Sequence, residues 1–256
     1  MDAATPRRIK RGWMNLLVNQ VIQETHDTVT FRMVDQEEGG RAFDYDPGQY
    51  LTFRFDHIGP KPLVRSYTMS SSPCEGDFSA FTVKRVEGGV VSNWLCDNVK
   101  QGDVLRARGP IGKFCYDPLN DRDWLLMVAG GSGVTPFVSI MREHAPKVGQ
   151  PGSPKGMILL VAYRSTADLI CWPTLQEVGK YSNVRVITTL TRDPSAPPPF
   201  WHGRPDDVML ERAFEGVLSK ATLMTCGPTA IMELTKQFAL DRGVPAEHVK
   251  MESFES

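Results

Sequence analysis

Two hydrophobic rhythms divide this chain, and they change over close to residue 118. Up to about residue 108, short β-branched stretches at 16–22, 28–34, 49–55 and 79–86 are separated by polar turns, among them Asp46-Pro-Gly48. Apolar and polar positions partly alternate within them, as in strands with one face on a core and the other in water. Together with one short helix, they predict a small antiparallel β-barrel. After Asp117-Pro118 the apolar runs become continuous, at 124–129, 157–162, 184–190 and 221–225. Continuous runs suit strands buried on both faces of a parallel sheet. Helical patterns at 137–144, 172–179, 206–214 and 229–242 lie between them, so the second half reads as α/β. The expected organisation is a mobile arm over residues 1–12, a barrel domain over 13–118 and an α/β domain over 119–256. Surface loops rich in proline, glycine and serine are expected at 146–154 and 193–199.

Composition narrows the function classes. With 29 basic and 30 acidic residues, the net charge of −1 leaves no electrostatic footprint for nucleic acid. No apolar run approaches the roughly 18 residues of a membrane span, and the basic cluster Arg7, Arg8, Lys10 and Arg11 has no signal-length apolar segment behind it. Cys74, Cys96, Cys115, Cys171 and Cys226 are scattered and form no Cys-x-x-Cys pair, which disfavours zinc ribbons and iron–sulfur loops and points to a reducing, cytoplasmic setting. The five histidines show no ligand spacing either, so no metal site is expected.

Three stretches carry candidate chemistry. In Ala129-Gly-Gly-Ser-Gly-Val-Thr-Pro136, a buried strand meets a turn with Gly130, Gly131 and Gly133 and then a helix, with Thr135 as a candidate cap and Pro136 at the helix start. Such a turn offers bare amides to a phosphate or nucleotide, or serves as a tight turn with no ligand. Pro136 occupies the place of the third glycine of the dinucleotide fingerprint, a departure from it. In Arg65-Ser-Tyr-Thr-Met-Ser-Ser-Ser-Pro73, a strand puts Arg65 and Tyr67 on one face, a guanidinium for a phosphate and a ring for a flat heterocycle. Gly88-Gly-Val-Val-Ser92 follows Lys84-Arg85 and turns into a helix with Ser92 as its expected cap. An ordinary polar strand and a capped helix would look the same.

Taken in order, these residues resemble the ferredoxin–NADP reductase-like superfamily. Arg65-Ser66-Tyr67-Thr68 is similar to its flavin motif and Gly89-Val90-Val91-Ser92 to its pyrophosphate motif. Gly109-Pro-Ile-Gly-Lys-Phe114 resembles the segment that closes its flavin barrel. The glycine turn resembles its nicotinamide-nucleotide loop, and Cys226-Gly227-Pro228 its next nucleotide loop. Within the superfamily the chain is most similar to the NAD(P)H-oxidising reductase components of multicomponent oxygenases.

The resemblance implies an enzyme that passes hydride from NADH or NADPH to FAD, rather than FMN, and then single electrons to an iron–sulfur protein, ferredoxin domain, oxygenase or flavodoxin-type partner. It implies that Arg65 binds a flavin phosphate, that Tyr67 stacks on the isoalloxazine and that Thr68 lies near flavin N5. Gly89 and Ser92 would hold the pyrophosphate, and Gly88, Val90 and Val91 beside them, with Thr82, Val83 and Lys84 of the preceding strand, would be further cofactor-binding residues. Thr135 and Cys226 would frame the nicotinamide, with Cys226 a positioning residue or simply a small buried one, and Gly131, Gly133, Pro136, Gly227 and Pro228 would be further cofactor-binding residues of the two nucleotide loops. Arg164 and Ser165 stand where relatives read the adenosine ribose; Arg164 either holds a 2′-phosphate or stacks on adenine. Resemblance to oxygenase reductases tilts the expectation toward NADH. The tail would place Glu252 at the ring edge and Phe254 over the flavin as a gate, unless it is a frayed end. Related reductases carry a [2Fe–2S] domain that needs four cysteine ligands, which this chain's cysteines do not supply. Either electrons go straight from flavin to a separate acceptor or the sequence is a piece of a longer chain. Two other readings remain: a flavin- or nucleotide-binding regulatory subunit without turnover, and a direct reductase of free flavin or quinone.

Overall fold

A computed structural model describes residues 12–254, so most of the expected N-terminal arm lies outside the described residues. The first half forms β1 (Trp13–Thr25), β2 (Thr28–Asp35), β3 (Tyr50–Phe55), β4 (Leu63–Thr68), β5 (Ser79–Lys84), α1 (Val90–Asn98) and β6 (Val104–Ile111). The six strands make one antiparallel sheet in the order β4-β3-β6-β1-β2-β5. A bridge between Met69 and Phe81 brings its two edges together, so the sheet curls round its core. Phe31, Phe53 and Phe81 fill that core, with ring centroids 5.3 Å apart for Phe31–Phe81 and 4.4 Å for Phe53–Phe81.

The second half forms β7 (Trp124–Gly130), α2 (Thr135–His144), β8 (Gly156–Tyr163), α3 (Trp172–Val178), β9 (Val184–Leu190), β10 (Trp201–His202), α4 (Asp207–Phe214), β11 (Ala221–Cys226), α5 (Thr229–Asp241) and β12 (Val249–Glu252). All strands are parallel, in the order β10-β9-β8-β7-β11-β12. Every residue of β8 and β11 is buried, the reason their sequences show no alternation. Apolar clusters fill both faces of the sheet, one centred on Phe137 and Met141, the other on Phe214 and Phe238.

Three local expectations are corrected. Ser92 is not the cap of α1: the helix begins at Val90 after Gly89, and the Ser92 hydroxyl instead accepts from the Val86 amide at 3.2 Å. The positive φ of Gly88, +68°, turns the chain early enough to start the helix two residues ahead of the serine. Thr135 is not the cap of α2 either. A 3₁₀ turn over Gly131–Val134 precedes it, Val134 is the cap, and the Thr135 hydroxyl donates to the Ser132 carbonyl at 3.0 Å. Thirdly, β1 extends over Trp13–Thr25, beyond the 16–22 stretch, because its polar half still pairs with β2.

Polar contacts tie the two halves together. The Ser139 hydroxyl of α2 donates to the Ser71 carbonyl at 2.6 Å, Arg142 pairs with Glu75, and the Cys171 amide donates to Glu24 at 3.2 Å. Lys250 of β12 donates to Asp121 at 2.6 Å and to the Cys115 carbonyl at 3.0 Å, pinning the last strand to the segment between the sheets.

Candidate functional site

A cavity of about 290 Å³ opens at the seam between the two sheets. Arg65, Ser66, Tyr67 and Thr68 of β4, Thr82 and Lys84 of β5, and Gly89, Val90, Val91 and Ser92 at the start of α1 line one side of it. Ser132 and Thr135, from the turn after β7, line the other, and Phe254 joins them. Sequence-distant groups therefore converge at one place, with both sheets contributing.

The barrel supplies most of the side chains. Arg65 and Tyr67 lie opposite Phe53 and Leu51 of β3. Tyr67 packs its ring against Phe81 at 5.5 Å and Phe53 at 6.0 Å, and burial raises its phenol well above the ordinary value. The ring is thus a fixed, neutral surface. The Arg65 guanidinium is exposed and makes one bond, to the Val64 carbonyl at 2.7 Å, so its charge is not matched by an acid among the described residues. Lys84 differs: its ammonium donates to Asp27 at 2.6 Å and lies 3.9 Å from Asp168. Burial would raise the Asp27 carboxyl, but Lys84 and the hydroxyls of Thr25 and Thr28 outweigh it and hold it below the ordinary value. The Lys84 charge is therefore spent within the protein. Behind it, the Thr82 hydroxyl joins Thr30 at 2.7 Å and Ser70 at 2.8 Å, a chain that reaches Glu24. Gly89 is close-packed, since a Cβ there would sit 2.6 Å from the Ser92 hydroxyl. Val83, by contrast, is buried in the barrel core and does not line the cavity.

The α/β side is built from backbone. At Gly133 a Cβ would meet the Cys226 carbonyl oxygen at 2.2 Å, and at Gly227 the Gly130 amide nitrogen at 2.8 Å. The turns after β7 and β11 thus touch backbone to backbone, which only glycine permits. Gly131, at φ +55°, has open space around it. Pro136 is buried, while Pro228 packs its ring toward Gly130. Cys226 has no exposed surface, and burial, with the neighbouring Glu252 adding to it, pushes its thiol far up. Glu252 sits across from Cys226 in the β11–β12 ladder. Burial raises its carboxyl to about 7, and one of its oxygens is buried with no hydrogen-bond partner. Arg164 and Ser165 are not at the cavity; they follow β8 at the sheet's carboxyl edge.

Sequence reasoning missed Val86 and Ser132 as cavity residues. Ser132 stood inside the glycine turn and was the legible one; an exposed valine after a strand carries no such signal. The five cysteines are free and no three of them are grouped among the described residues, so these residues offer no ligand set for a [2Fe–2S] cluster. The residues present fit a flavin nucleotide: an unmatched guanidinium, a fixed aromatic face, hydroxyls and the amides of a helix start surround a cavity next to a glycine turn.

Two family models match, an oxidoreductase FAD-binding domain over residues 15–116 and an oxidoreductase NAD-binding domain over residues 127–237. The reductase subunit of glycine betaine monooxygenase from Chromohalobacter salexigens is 32% identical over 257 residues, which covers 99% of this chain and 67% of that protein. The ferredoxin reductase component of 3-ketosteroid-9-alpha-monooxygenase from Rhodococcus rhodochrous is 31% identical, with 94% of this chain and 65% of that protein covered. The chain thus spans about two-thirds of the length of these relatives. Among solved structures, a ferredoxin NADP+ reductase from Neisseria gonorrhoeae with bound FAD and NADP superposes with a TM-score of 0.78 at 22% identity, over 96% of this chain and 100% of the other. Barrel, parallel sheet, seam cavity and both domain matches agree, and the chain belongs to the ferredoxin–NADP reductase-like oxidoreductases with an FAD-binding and a NAD-binding domain.

Proposed function

We propose that this chain is the NAD(P)H-oxidising flavoprotein reductase of an oxygenase system. The observation that carries the reading is the seam cavity, where Tyr67 and Arg65 of the barrel face Ser132 and Thr135 of the α/β domain. Bound there, FAD would take a hydride from NAD(P)H and release the electrons singly. The protein supplies binding, orientation and exclusion of water. Arg65 grips a phosphate, Tyr67 gives the ring a stacking face, and Thr68 sets a buried hydroxyl at its edge. The amides of Val90, Val91 and Ser92 receive the pyrophosphate at the start of α1. Cys226 shapes the nicotinamide side from below, Glu252 holds a proton near neutrality, and Phe254, 44% exposed, covers the cavity and moves aside for the nicotinamide.

The proposed acceptor is an iron–sulfur protein, by analogy with the ferredoxin reductase component named among the relatives, or a flavodoxin-type partner, and the proposed setting is the cytoplasm. Five free thiols fit a reducing compartment, and no helix among the described residues is long and apolar enough to cross a membrane. Anaerobic titration of the purified protein with NADH and NADPH, followed by identification of the extracted flavin, tests the reading. Bleaching by either nucleotide, and then electron delivery to a ferredoxin-like protein, is expected. A yellow protein that neither nucleotide bleaches would make it a regulatory subunit; turnover with free flavin or quinone alone would make it a direct reductase.

A further inference from the structure

The hydrogen-bond chain behind the cavity does not end in the barrel; it crosses the seam and closes on itself. β1 and β2 pair Gln23 with Val29 and Thr25 with Thr28, so Glu24 is the extra residue of a β-bulge. Bulges re-aim a side chain, and this one sends its carboxylate to the seam between the halves. Oε1 accepts from the Thr30 hydroxyl at 2.7 Å, and Oε2 accepts from the Cys171 amide of the α/β half at 3.2 Å. Thr30 faces Thr82 across the β2–β5 ladder, hydroxyl to hydroxyl at 2.7 Å. The Thr82 hydroxyl in turn lies within hydrogen-bonding reach of the Cys171 thiol. Glu24, Thr30, Thr82 and Cys171 thus form a closed ring, and Thr82 is also part of the cavity wall.

Cys171 needs such a grip. Among the described residues two non-glycine residues have a positive φ, Asn183 at 60° and Cys171 at 53°. Asparagine enters the left-handed region readily, because its short polar side chain bonds locally; a cysteine stays there where its surroundings impose it. Glu24 holds the amide of this residue, Thr82 faces its thiol, and α3 starts directly behind it at Trp172-Pro173. Cys171 closes the connection between β8 and α3, which leaves the sheet at its carboxyl edge, where open α/β sheets lay a dinucleotide. Lys84 approaches Asp168 of the same connection to 3.9 Å, while the Ser71–Ser139 and Glu75–Arg142 contacts hold α2 instead. The halves therefore stay joined without Glu24, but the last residue of the connection is set by it.

We propose that Glu24 is a positioning residue that acts through Cys171: it fixes the β8–α3 connection against the cavity wall at Thr82 and so sets the dinucleotide half in register with the flavin half. The inference rests on the reading above that the two halves take a nicotinamide dinucleotide and FAD. It gives the bulge, the left-handed cysteine and the buried hydroxyls one common purpose. Hydride transfer requires reacting atoms about 3–3.5 Å apart, and a displacement of about 1 Å costs on the order of a hundredfold in rate. The ring uses the shape of the Glu24 side chain and not its charge. In Glu24→Gln the side-chain oxygen can accept from the Cys171 N–H while the NH2 group donates to the Thr30 oxygen, so the ring stays closed.

Two measurements on the flavin-loaded protein test it: anaerobic stopped-flow bleaching by NADH and NADPH, and iodoacetamide labelling of Cys171 read by mass spectrometry. In Glu24→Ala the limiting bleaching rate should fall at least about tenfold, while flavin content and the half-saturating nucleotide concentration stay within about twofold. Cys171, 3% exposed in the closed ring, should label at least about tenfold faster in that variant. Glu24→Gln should restore both toward the parent values. An unchanged rate or unchanged labelling in Glu24→Ala overturns the inference. So does a Glu24→Gln protein as slow as Glu24→Ala, because the charge would then be what counts. If Glu24→Ala does not fold, Thr30→Val, nearly isosteric, breaks the ring one bond further back. It should show both changes at reduced size, and parent values there overturn the inference. A parent protein that neither nucleotide bleaches would sink the reductase reading, and the labelling contrast between Glu24→Ala and Glu24→Gln would still decide whether Glu24 holds Cys171.

Discussion

On the barrel side of the seam, the cavity is met by side chains that stand on strands: Arg65 and Tyr67 from β4, Thr82 and Lys84 from β5. On the α/β side, Ser132 and Thr135 reach it, and the glycines behind them are occupied in packing one turn against the next. The difference follows from the two kinds of sheet. An antiparallel sheet has a face free to present alternate side chains, whereas parallel strands buried on both faces can present a ligand only with the turns at their ends. The barrel therefore meets the cavity mainly with side chains, with Gly89 its one close-packed glycine there among the described residues. The α/β domain depends on backbone clearances.

The largest expected effect breaks that clearance. In Gly133→Ala the new Cβ would lie 2.2 Å from the Cys226 carbonyl oxygen and 2.7 Å from the Gly227 Cα, both backbone atoms with no rotamer to yield. The variant should lose on the order of 3 kcal/mol, read as a fall in the urea midpoint with unchanged slope. A barrel side chain should act on the ligand instead. Arg65→Ala should keep its melting temperature without flavin yet bind FAD more weakly by about 2 kcal/mol, as fluorescence quenching in apoprotein titrations would register. Full flavin occupancy in that variant would end the assignment.

Glu252 tests the α/β side by pH. Its carboxyl rises in the folded state from 4.5 to about 7 because burial penalises the charge. Between those values the folded chain holds a proton that the unfolded chain has released, so stability is full below about pH 4.5 and declines as pH rises to about 7. Glu252→Gln should flatten that decline, a difference of about 1–2 kcal/mol between pH 5 and pH 8 in denaturation curves. An identical slope in both proteins would mean that the carboxyl is not protonated in the fold. The smallest effect sharpens the comparison from the barrel side. A methyl group at Gly88 would meet nothing within 4 Å, but the backbone there has a φ of +68°. Gly88→Ala should therefore cost only about 1 kcal/mol in the same denaturation curves, conformational strain without a clash.

The sequence by itself determined the two sheets and where their characters change. Partial polar–apolar alternation in Thr28–Asp35, whose burial alternates only in its second half, and continuous burial in Gly156–Tyr163 are local consequences of which faces must be covered. It was also enough to single out the Arg65-Ser-Tyr-Thr68 strand and both glycine turns, because special backbone and paired functional groups leave compositional marks. The strand Val104–Ile111 was harder to read as an element, since its alternating exposed arginines dilute the apolar signal. Only the tertiary structure decided that Lys84 spends its charge on Asp27 and Asp168, that Ser92 and Thr135 lie inside their helices and not at the caps, and that Val86 enters the cavity. It alone set Arg192 beside Arg164, 28 positions away in the chain. The physical reason is range: periodicity and turn chemistry are properties of neighbours along the chain, whereas charge pairing, clearance and juxtaposition depend on which strands the crossovers bring side by side.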